Sequence, residues 1–403
     1  MTRHTARLKG TRGVAGLSEA GRGGRRKQLV ATSAVVRPGR ALPAVFLVAV
    51  SAAAWALGSA APARAQDAPG APPVVWVLAT GGTISGGGQS STSLTQYRSG
   101  AFSGEQLVSA VPAIAEHATV RVEQIVNIGS PNITFDDWLT LARRIDEIFS
   151  GDPDVAGVVV THGTNTLEET AYFLNLTVRH DRPVVLVGAQ RPATAISTDG
   201  PLNLLNAVRT AASPEARGKG VLVVMNDEIN AARDVTKTST YRVETFRSRD
   251  LGFLGYVDGD RVAFYRAPTK RHTADSEFDL AGVARFPTVD IVYSYVEPNP
   301  VLIETLIEAG VDGIVLAGTG AGLVSRVERA ALDRLASLPE PERPVIVRSN
   351  RTGSGRVVPL PGYDVRGMIA GDTLNPQKAR ILLMLALTKT RDLDEIRRIF
   401  RDY

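Results

Sequence analysis

Apolar positions along the chain fall into two kinds of run. Short runs dominated by apolar residues occur at 74–79, 155–160, 184–188, 220–225, 289–295, 313–317 and 344–348. Runs of this kind are how strands buried on both faces of a parallel sheet read. Residues 119–128 alternate and predict a further strand. Between these lie stretches with helical spacing: 104–111, 138–149 (Leu139, Leu141, Ile145, Ile148), 167–176, 300–309, 327–336 and 393–400. Asp199-Gly200-Pro201 and Asn375-Pro376 each open a helix, with Pro where the first turn tolerates it and Asn375 as cap. Strand and helix alternate, which predicts an α/β fold. A larger N-terminal parallel-sheet domain with helices on both faces is expected over 74–265. A smaller C-terminal α/β domain is expected over 288–403. Residues 266–287 turn from basic to acidic without periodicity and read as a linker, and 226–238 as a polar loop holding Lys237.

Charge divides the chain differently. Residues 1–65 carry eleven Lys/Arg and one Glu, a surplus of +10 against +5 for all 403 residues, so the remainder is −5. The basic balance thus belongs to the leading segment and gives no ground for nucleic-acid binding by the folded protein. That segment has the layout of an export signal. Arg25-Arg26-Lys27, Arg37 and Arg40 precede an apolar stretch at 41–60, and Ala63-Arg64-Ala65 fits a small-x-small cleavage site before Gln66. A twin-arginine reading of Arg25-Arg26 is poorly matched by its flanks, and Pro43 with the cleavage-like site disfavours an uncleaved anchor. Residues 1–65 are therefore read as a leader and 66–73 as an Ala/Pro-rich tether. The mature chain is expected to be periplasmic or secreted, with no membrane attachment after cleavage.

Several chemistries are excluded. The absence of cysteine removes disulfides, thiolate catalysis and Cys-based metal sites. Five scattered histidines give no metal-ligand spacing. The turn at 81–88 has neither GxGxxG nor GK[ST], so nucleotide-binding motifs are unsupported. What remains is a set of hydroxyls. Gly82-Thr83, Gly129-Ser130 and Gly163-Thr164 each follow a predicted strand, and a parallel sheet gathers such ends at one edge. One such pair is as compatible with a plain tight turn; three, with Lys237 in a later loop, form a nucleophile constellation. A threonine hydroxyl attacks only when its proton is removed or its charge stabilised, and a neutral lysine or second activated hydroxyl can act as base. Backbone N–H groups of Gly82 or Ala189 are the candidate oxyanion donors. Residues 86–100, rich in Gly, Ser and Thr with Tyr97 their only aromatic, suit a lid, the alternative being a surface loop in which Tyr97 merely packs. His162 reads as a residue hydrogen-bonded within its own turn rather than as a base.

Thr80-Gly81-Gly82-Thr83-Ile84 and Thr161-His162-Gly163-Thr164 resemble the two signature segments of the bacterial-type L-asparaginase/glutaminase family, most nearly its exported type II branch. The likeness continues through Val126-Asn127-Ile128-Gly129-Ser130, Glu168-Glu169-Thr170-Ala171-Tyr172-Phe173-Leu174, Val187-Gly188-Ala189, Arg191-Pro192, Asp199-Gly200-Pro201, Asp234-Val235-Thr236-Lys237-Thr238 and Leu374-Asn375-Pro376-Gln377-Lys378-Ala379-Arg380. It implies deamidation of L-asparagine, with L-glutamine a second substrate, and no metal or cofactor. By the same likeness Thr83 is the nucleophile and forms an acyl-enzyme, Tyr97 closes over it, Ser130 holds the substrate α-carboxylate, and Thr164 with Lys237 handles proton transfer. Gly82, Gly163 and Ala189 belong to the substrate pocket. The family's usual homotetramer, with sites between neighbouring subunits, is the expected assembly.

Two departures stand out. The family pattern has an aspartate after the second signature threonine, where this chain has Asn165, which keeps the shape but not the charge. Where the family often has a glutamine after the carboxylate-binding serine, this chain has Pro131, which offers no side-chain donor or acceptor. Residues 351–362 also carry no carboxylate in the segment where some members lend one to the neighbouring subunit. The expectation is therefore a weaker amidohydrolase, or an amino-acid-binding pseudoenzyme.

Overall fold

In the computed structural model residues 71–403 are described; the leader expected over 1–65, and residues 66–70 of the expected tether, lie outside the described residues. In chain order the first half contains β1 (Val74–Gly81), a small hairpin of β2 (Gly87–Gly88) and β3 (Tyr97–Arg98), α1 (Gly104–Ser109), β4 (Thr119–Ile128), α2 (Phe135–Gly151), β5 (Val155–Thr161), α3 (Leu167–Thr177), β6 (Val184–Val187) and α4 (Gly200–Ala212). Then come β7 (Val221–Met225), β8 (Glu228–Ala231), β9 (Thr236–Lys237), β10 (Phe246–Arg247), β11 (Gly255–Val257) and β12 (Val262–Phe264). The second half contains β13 (Val289–Tyr293), α5 (Val301–Glu308), β14 (Gly313–Gly318), α6 (Arg326–Asp333), β15 (Val345–Asn350), α7 (Pro361–Asp364), β16 (Ile369–Ala370), α8 (Pro376–Leu387) and α9 (Leu393–Asp402).

The large sheet runs β12-β11-β8-β7-β6-β5-β1-β4, and the small one β13-β14-β15-β16. From β1 the chain passes to β4 on one side and then crosses to β5 on the other, both parallel to β1. The carboxyl end of β1 is thus a topological switch point, where an open parallel sheet leaves a crevice. The small sheet is parallel throughout. The large sheet departs from the all-parallel expectation at its far side, where β8, β11 and β12 are antiparallel. The cause is local. Asn226 and Asp227 both take positive φ, 54° and 64°, and fold β8 straight back onto β7. A two-residue loop with both residues left-handed matches the twist of a hairpin, and Asn and Asp tolerate that conformation better than most side chains. The stretch expected as a polar loop over 226–238 therefore contains β8 and β9.

Burial explains why the strand runs are dominated by apolar residues. Val75, Val77, Leu78, Val158, Val159 and Val160 are all fully inaccessible. One core joins the two sheets: Leu78, Trp138, Phe173 and Leu186 belong to the same cluster as Val315, Leu382 and Phe400. The segment 266–287 contributes Phe278 and Phe286, and the Phe286 ring packs edge-on against Phe173 at 5.8 Å and Phe135 at 5.4 Å. At the head of α8, Asn375 Oδ1 accepts the Lys378 N–H at 3.1 Å, as an N-cap should. Lys378 is itself buried, and its ammonium donates to the carbonyls of Arg233, at 3.0 Å, and Val235. Burial pushes that amine down to about 8. These contacts tie α8 to the chain just before Lys237. Among the described residues no helix is long and apolar enough to cross a membrane.

Candidate active site

Glycines decide how closely the strand-end turns can meet. Gly82, at φ 85°, lies so near the next turn that a Cβ would sit 2.2 Å from the Gly163 Cα. A Cβ on Gly163 would sit 2.8 Å from both Cβ and Oγ of Ser130. The turns after β1 and β5 are thus in backbone contact, and the Ser130 side chain of the turn after β4 packs against Gly163, a closeness that only glycine permits. Gly81 extends the effect, since a Cβ there would approach the Ile128 backbone to 2.6 Å. The same closeness occupies one predicted donor. The Gly82 N–H bonds the Ile128 carbonyl at 2.9 Å, so it is not available to an oxyanion. Of the two backbone donors named from sequence, Ala189 remains; it is fully buried at the end of β6.

Thr83, Tyr97, Thr164, Asn165 and Lys237 line one open cavity of about 570 Å³, together with Leu94, Thr95, Glu168, Gln190 and residues 238–241. Two hydroxyl contacts organise it. Thr83 Oγ1 and the Tyr97 phenol are 2.7 Å apart. Tyr97 comes from the β2–β3 hairpin, and Gly86 makes room for it: a Cβ there would meet the ring at 2.8 Å. Opposite, Lys237 Nζ donates to Thr164 Oγ1 at 2.8 Å and to Asn165 Oδ1 at 3.0 Å. Burial pushes the Lys237 amine below its ordinary value, against a smaller opposing pull from Glu168. The amine is therefore easier to deprotonate than a surface lysine.

Ser130, Pro131, Gly163, Gly82 and Ala189 are not on the wall of that cavity as the free chain defines it. Ser130 lies directly behind it. Its Oγ accepts the Asn165 N–H at 3.2 Å, its carbonyl accepts Thr166 Oγ1 at 2.8 Å, and its own hydroxyl proton stays available. Pro131 is exposed in the short turn Ser130–Asn132. His162 is buried, with Nδ1 2.8 Å from the Gly163 carbonyl and Nε2 2.9 Å from Thr170 Oγ1. Trp138 Nε1 donates to that same Thr170 oxygen at 2.8 Å. The threonine proton therefore goes to Nε2, and the imidazole is neutral with its proton on Nδ1. Burial holds it down at about 4, which removes His162 from the acid–base chemistry.

Two cavity residues escaped the sequence reading of roles. Gln190 follows β6 in a loop pinned by Asp199, whose carboxylate accepts the Gln190 and Arg191 N–H groups, each at 2.9 Å. Its Nε2 is buried without a protein partner. Glu168 stands in the first turn of α3 (Leu167–Thr177) and is 5% exposed. Gln190 lies just past the end of β6 and Glu168 in the helix that follows the turn after β5, but neither stands beside a glycine. Among the described residues no cluster of His, Asp and Glu is arranged to hold a metal ion.

This geometry has known counterparts. The family model described as asparaginase, N-terminal, matches residues 74–270, and that of the glutaminase/asparaginase C-terminal domain matches residues 288–400. The chain is 49% identical over 331 residues to L-asparaginase 2 of Bacillus subtilis (strain 168), across 82% of this chain and 87% of the relative. It is 45% identical over 335 residues to the glutaminase-asparaginase of Pseudomonas fluorescens biotype A, across 82% and 90%. The solved structure of a probable cytoplasmic L-asparaginase from Campylobacter jejuni superposes with a TM-score of 0.79 at 45% identity, covering 82% of this chain and 100% of that one. With both of its halves matched and the strand-end hydroxyls of Thr83 and Thr164 on one cavity, the chain belongs to the asparaginase family.

Proposed function

We propose that this protein is an exported L-asparaginase, an amidohydrolase converting L-asparagine to L-aspartate and ammonia, with L-glutamine a weaker substrate. The observation that carries the reading is the pair of hydroxyl contacts on one cavity, Thr83 with Tyr97 at 2.7 Å and Thr164 with Lys237 at 2.8 Å. Thr83 Oγ1 attacks the side-chain amide carbon, and its proton passes to the groups that face it. Neutral Lys237 keeps Thr164 ready to accept a proton. The tetrahedral intermediate collapses, the proton taken from Thr83 is delivered to the amide nitrogen, the C–N bond breaks and ammonia leaves, with an ester on Thr83. Water then attacks the ester, releasing aspartate and restoring the hydroxyl. Ser130 holds the substrate α-carboxylate through its free proton, Asn165 receives the α-ammonium, and the Ala189 N–H faces the oxyanion.

The leader at 1–65 supports export to the periplasm or outside the cell. We take 74–265 and 288–403 as the two domains, joined by 266–287, and a homotetramer as the assembly. No cofactor is needed by this route. A second reading, an amino-acid-binding pseudoenzyme, draws on Asn165 and Pro131, where charge and an amide are both missing. Ammonia release from the purified protein, with Thr83→Ala as control, separates the two. Turnover that disappears in the variant supports the hydrolase; asparagine binding without ammonia supports the binder.

A further inference from the structure

The cavity contains a carboxylate that the family-derived roles leave idle. Glu168 lines the same cavity as Lys237 and Thr164. Its Oε1 accepts Gln377 Nε2 at 2.8 Å, and its Oε2, buried, has no hydrogen-bond partner among the described residues. It stands in the first turn of α3, the end of a helix at which the dipole favours a negative charge. Lys237 meanwhile has the neutral Asn165 oxygen beside it, and no ion pair of Lys237 occurs among the described residues.

We propose that Glu168 is the positioning carboxylate of Lys237, supplying across the cavity the negative charge that Asn165 lacks and so setting how readily the amine facing Thr164 gives up its proton. This rests on the reading of Lys237 as a proton-transfer group. Other charges share the region. Lys378 and Arg380 come from α8, Glu169 follows on α3, and Arg233 and Asp234 precede Lys237 in the chain. Lys378 is the rival beneficiary of Glu168, since it too feels that carboxylate. The two lysines differ in access: Lys378 is sealed in the core, whereas Lys237 opens onto the cavity. The burial of Lys237 is opposed by Glu168 as the named charge, which agrees with the placement.

The test reads the amine directly. Competitive acetylation of the whole protein with acetic anhydride across a pH series, followed by mass spectrometry, gives a labelling midpoint for Lys237, with Lys219 as internal reference. Glu168→Gln keeps an acceptor for Gln377 and removes the charge; the Lys237 midpoint falls by about one pH unit while Lys219 stays put. Glu168→Asp keeps the charge one methylene further back and falls between the two. Asn165→Asp moves the midpoint up, and combining it with Glu168→Gln brings it back towards the starting value. A Lys237 midpoint unmoved by both Glu168 variants overturns the proposal. Because labelling needs no turnover, a protein inert towards amides would sink the hydrolase reading and leave this measurement decisive. An active enzyme with an unmoved midpoint would sink only the role of Glu168.

Discussion

Asn165→Asp is the most informative single change. The geometry is already in place, since Lys237 Nζ lies 3.0 Å from the oxygen that would become charged. A hydrogen bond to a charged group contributes about 1.5–3 kcal/mol, against about 0.5–1.5 for a neutral one. Where the new carboxylate meets the substrate's α-ammonium, that strengthening of about 1–1.5 kcal/mol corresponds to a rise of about five- to tenfold in kcat/KM. A second effect acts on Lys237. Burial holds its amine below the ordinary range, and a carboxylate at hydrogen-bond distance raises it again, by about one unit or more. On the proposed mechanism the neutral amine is the active form, so activity sets in as pH rises through its titration, and the variant's onset moves to higher pH. The two effects separate in a profile of kcat/KM for asparagine, from ammonia release between about pH 6 and about pH 10. The expected result is a higher plateau on the alkaline side with an acid limb displaced upward by about one unit. A variant no better than the parent at any pH would refute the account of position 165. A higher plateau with an unmoved acid limb would refute the role given to Lys237.

Other outcomes follow from the same geometry. Tyr97→Phe removes the phenol 2.7 Å from Thr83 Oγ1 and keeps the ring; kcat should fall by about tenfold or more with little change in KM, and an unchanged kcat would remove Tyr97 from the proton path. Gly82→Ala forces a Cβ to 2.2 Å from the Gly163 Cα at a positive φ, so calorimetry should show a lower Tm and turnover should fall with it. His162 makes stability depend on pH. Its folded value of about 4 lies below the 6.5 of an unfolded histidine, so the unfolded chain takes up the proton first as pH falls. Stability is fully present above about 6.5 and falls by about 3 kcal/mol on the way down to about 4, beyond which this residue adds no further loss. Urea midpoints across that window should lose this slope in His162→Asn, and a variant that keeps it would show that other groups carry the dependence.

How much was legible in the sequence depended on how local the cause was. The residues 119–128 strand, the helix after Asn375 and the buried valine runs are set by alternation, a cap and continuous apolarity, and these coincide with β4, α8 and β5. The convergence of Thr83, Ser130 and Thr164 followed from one rule, that parallel strands end on the same side. The antiparallel edge was missed because Asn226-Asp227 looked like the start of a loop, though two tolerant residues between apolar runs also make a hairpin. Gly82 was misjudged as an oxyanion donor because its N–H partner, the Ile128 carbonyl, becomes a neighbour only once β4 lies beside β1. Glu168 and Gln190 were silent for a related reason. Their standing depends on unpaired buried atoms, which no spacing along the chain reveals.

The bond from Gln377 to Glu168 spans 209 positions of sequence. It fixes a timetable. During synthesis the turn bearing Thr83, the hairpin bearing Tyr97 and the Lys237 strand all leave the ribosome long before Gln377 and Lys378, which clamp the Glu168 carboxylate and the carbonyls ahead of Lys237. A nascent chain held short of that point carries Thr83, Tyr97, Thr164 and Lys237 without the side chains that hold Glu168 and the carbonyls ahead of Lys237. On the proposed mechanism the proton balance is complete only once the helix opened by Asn375 docks.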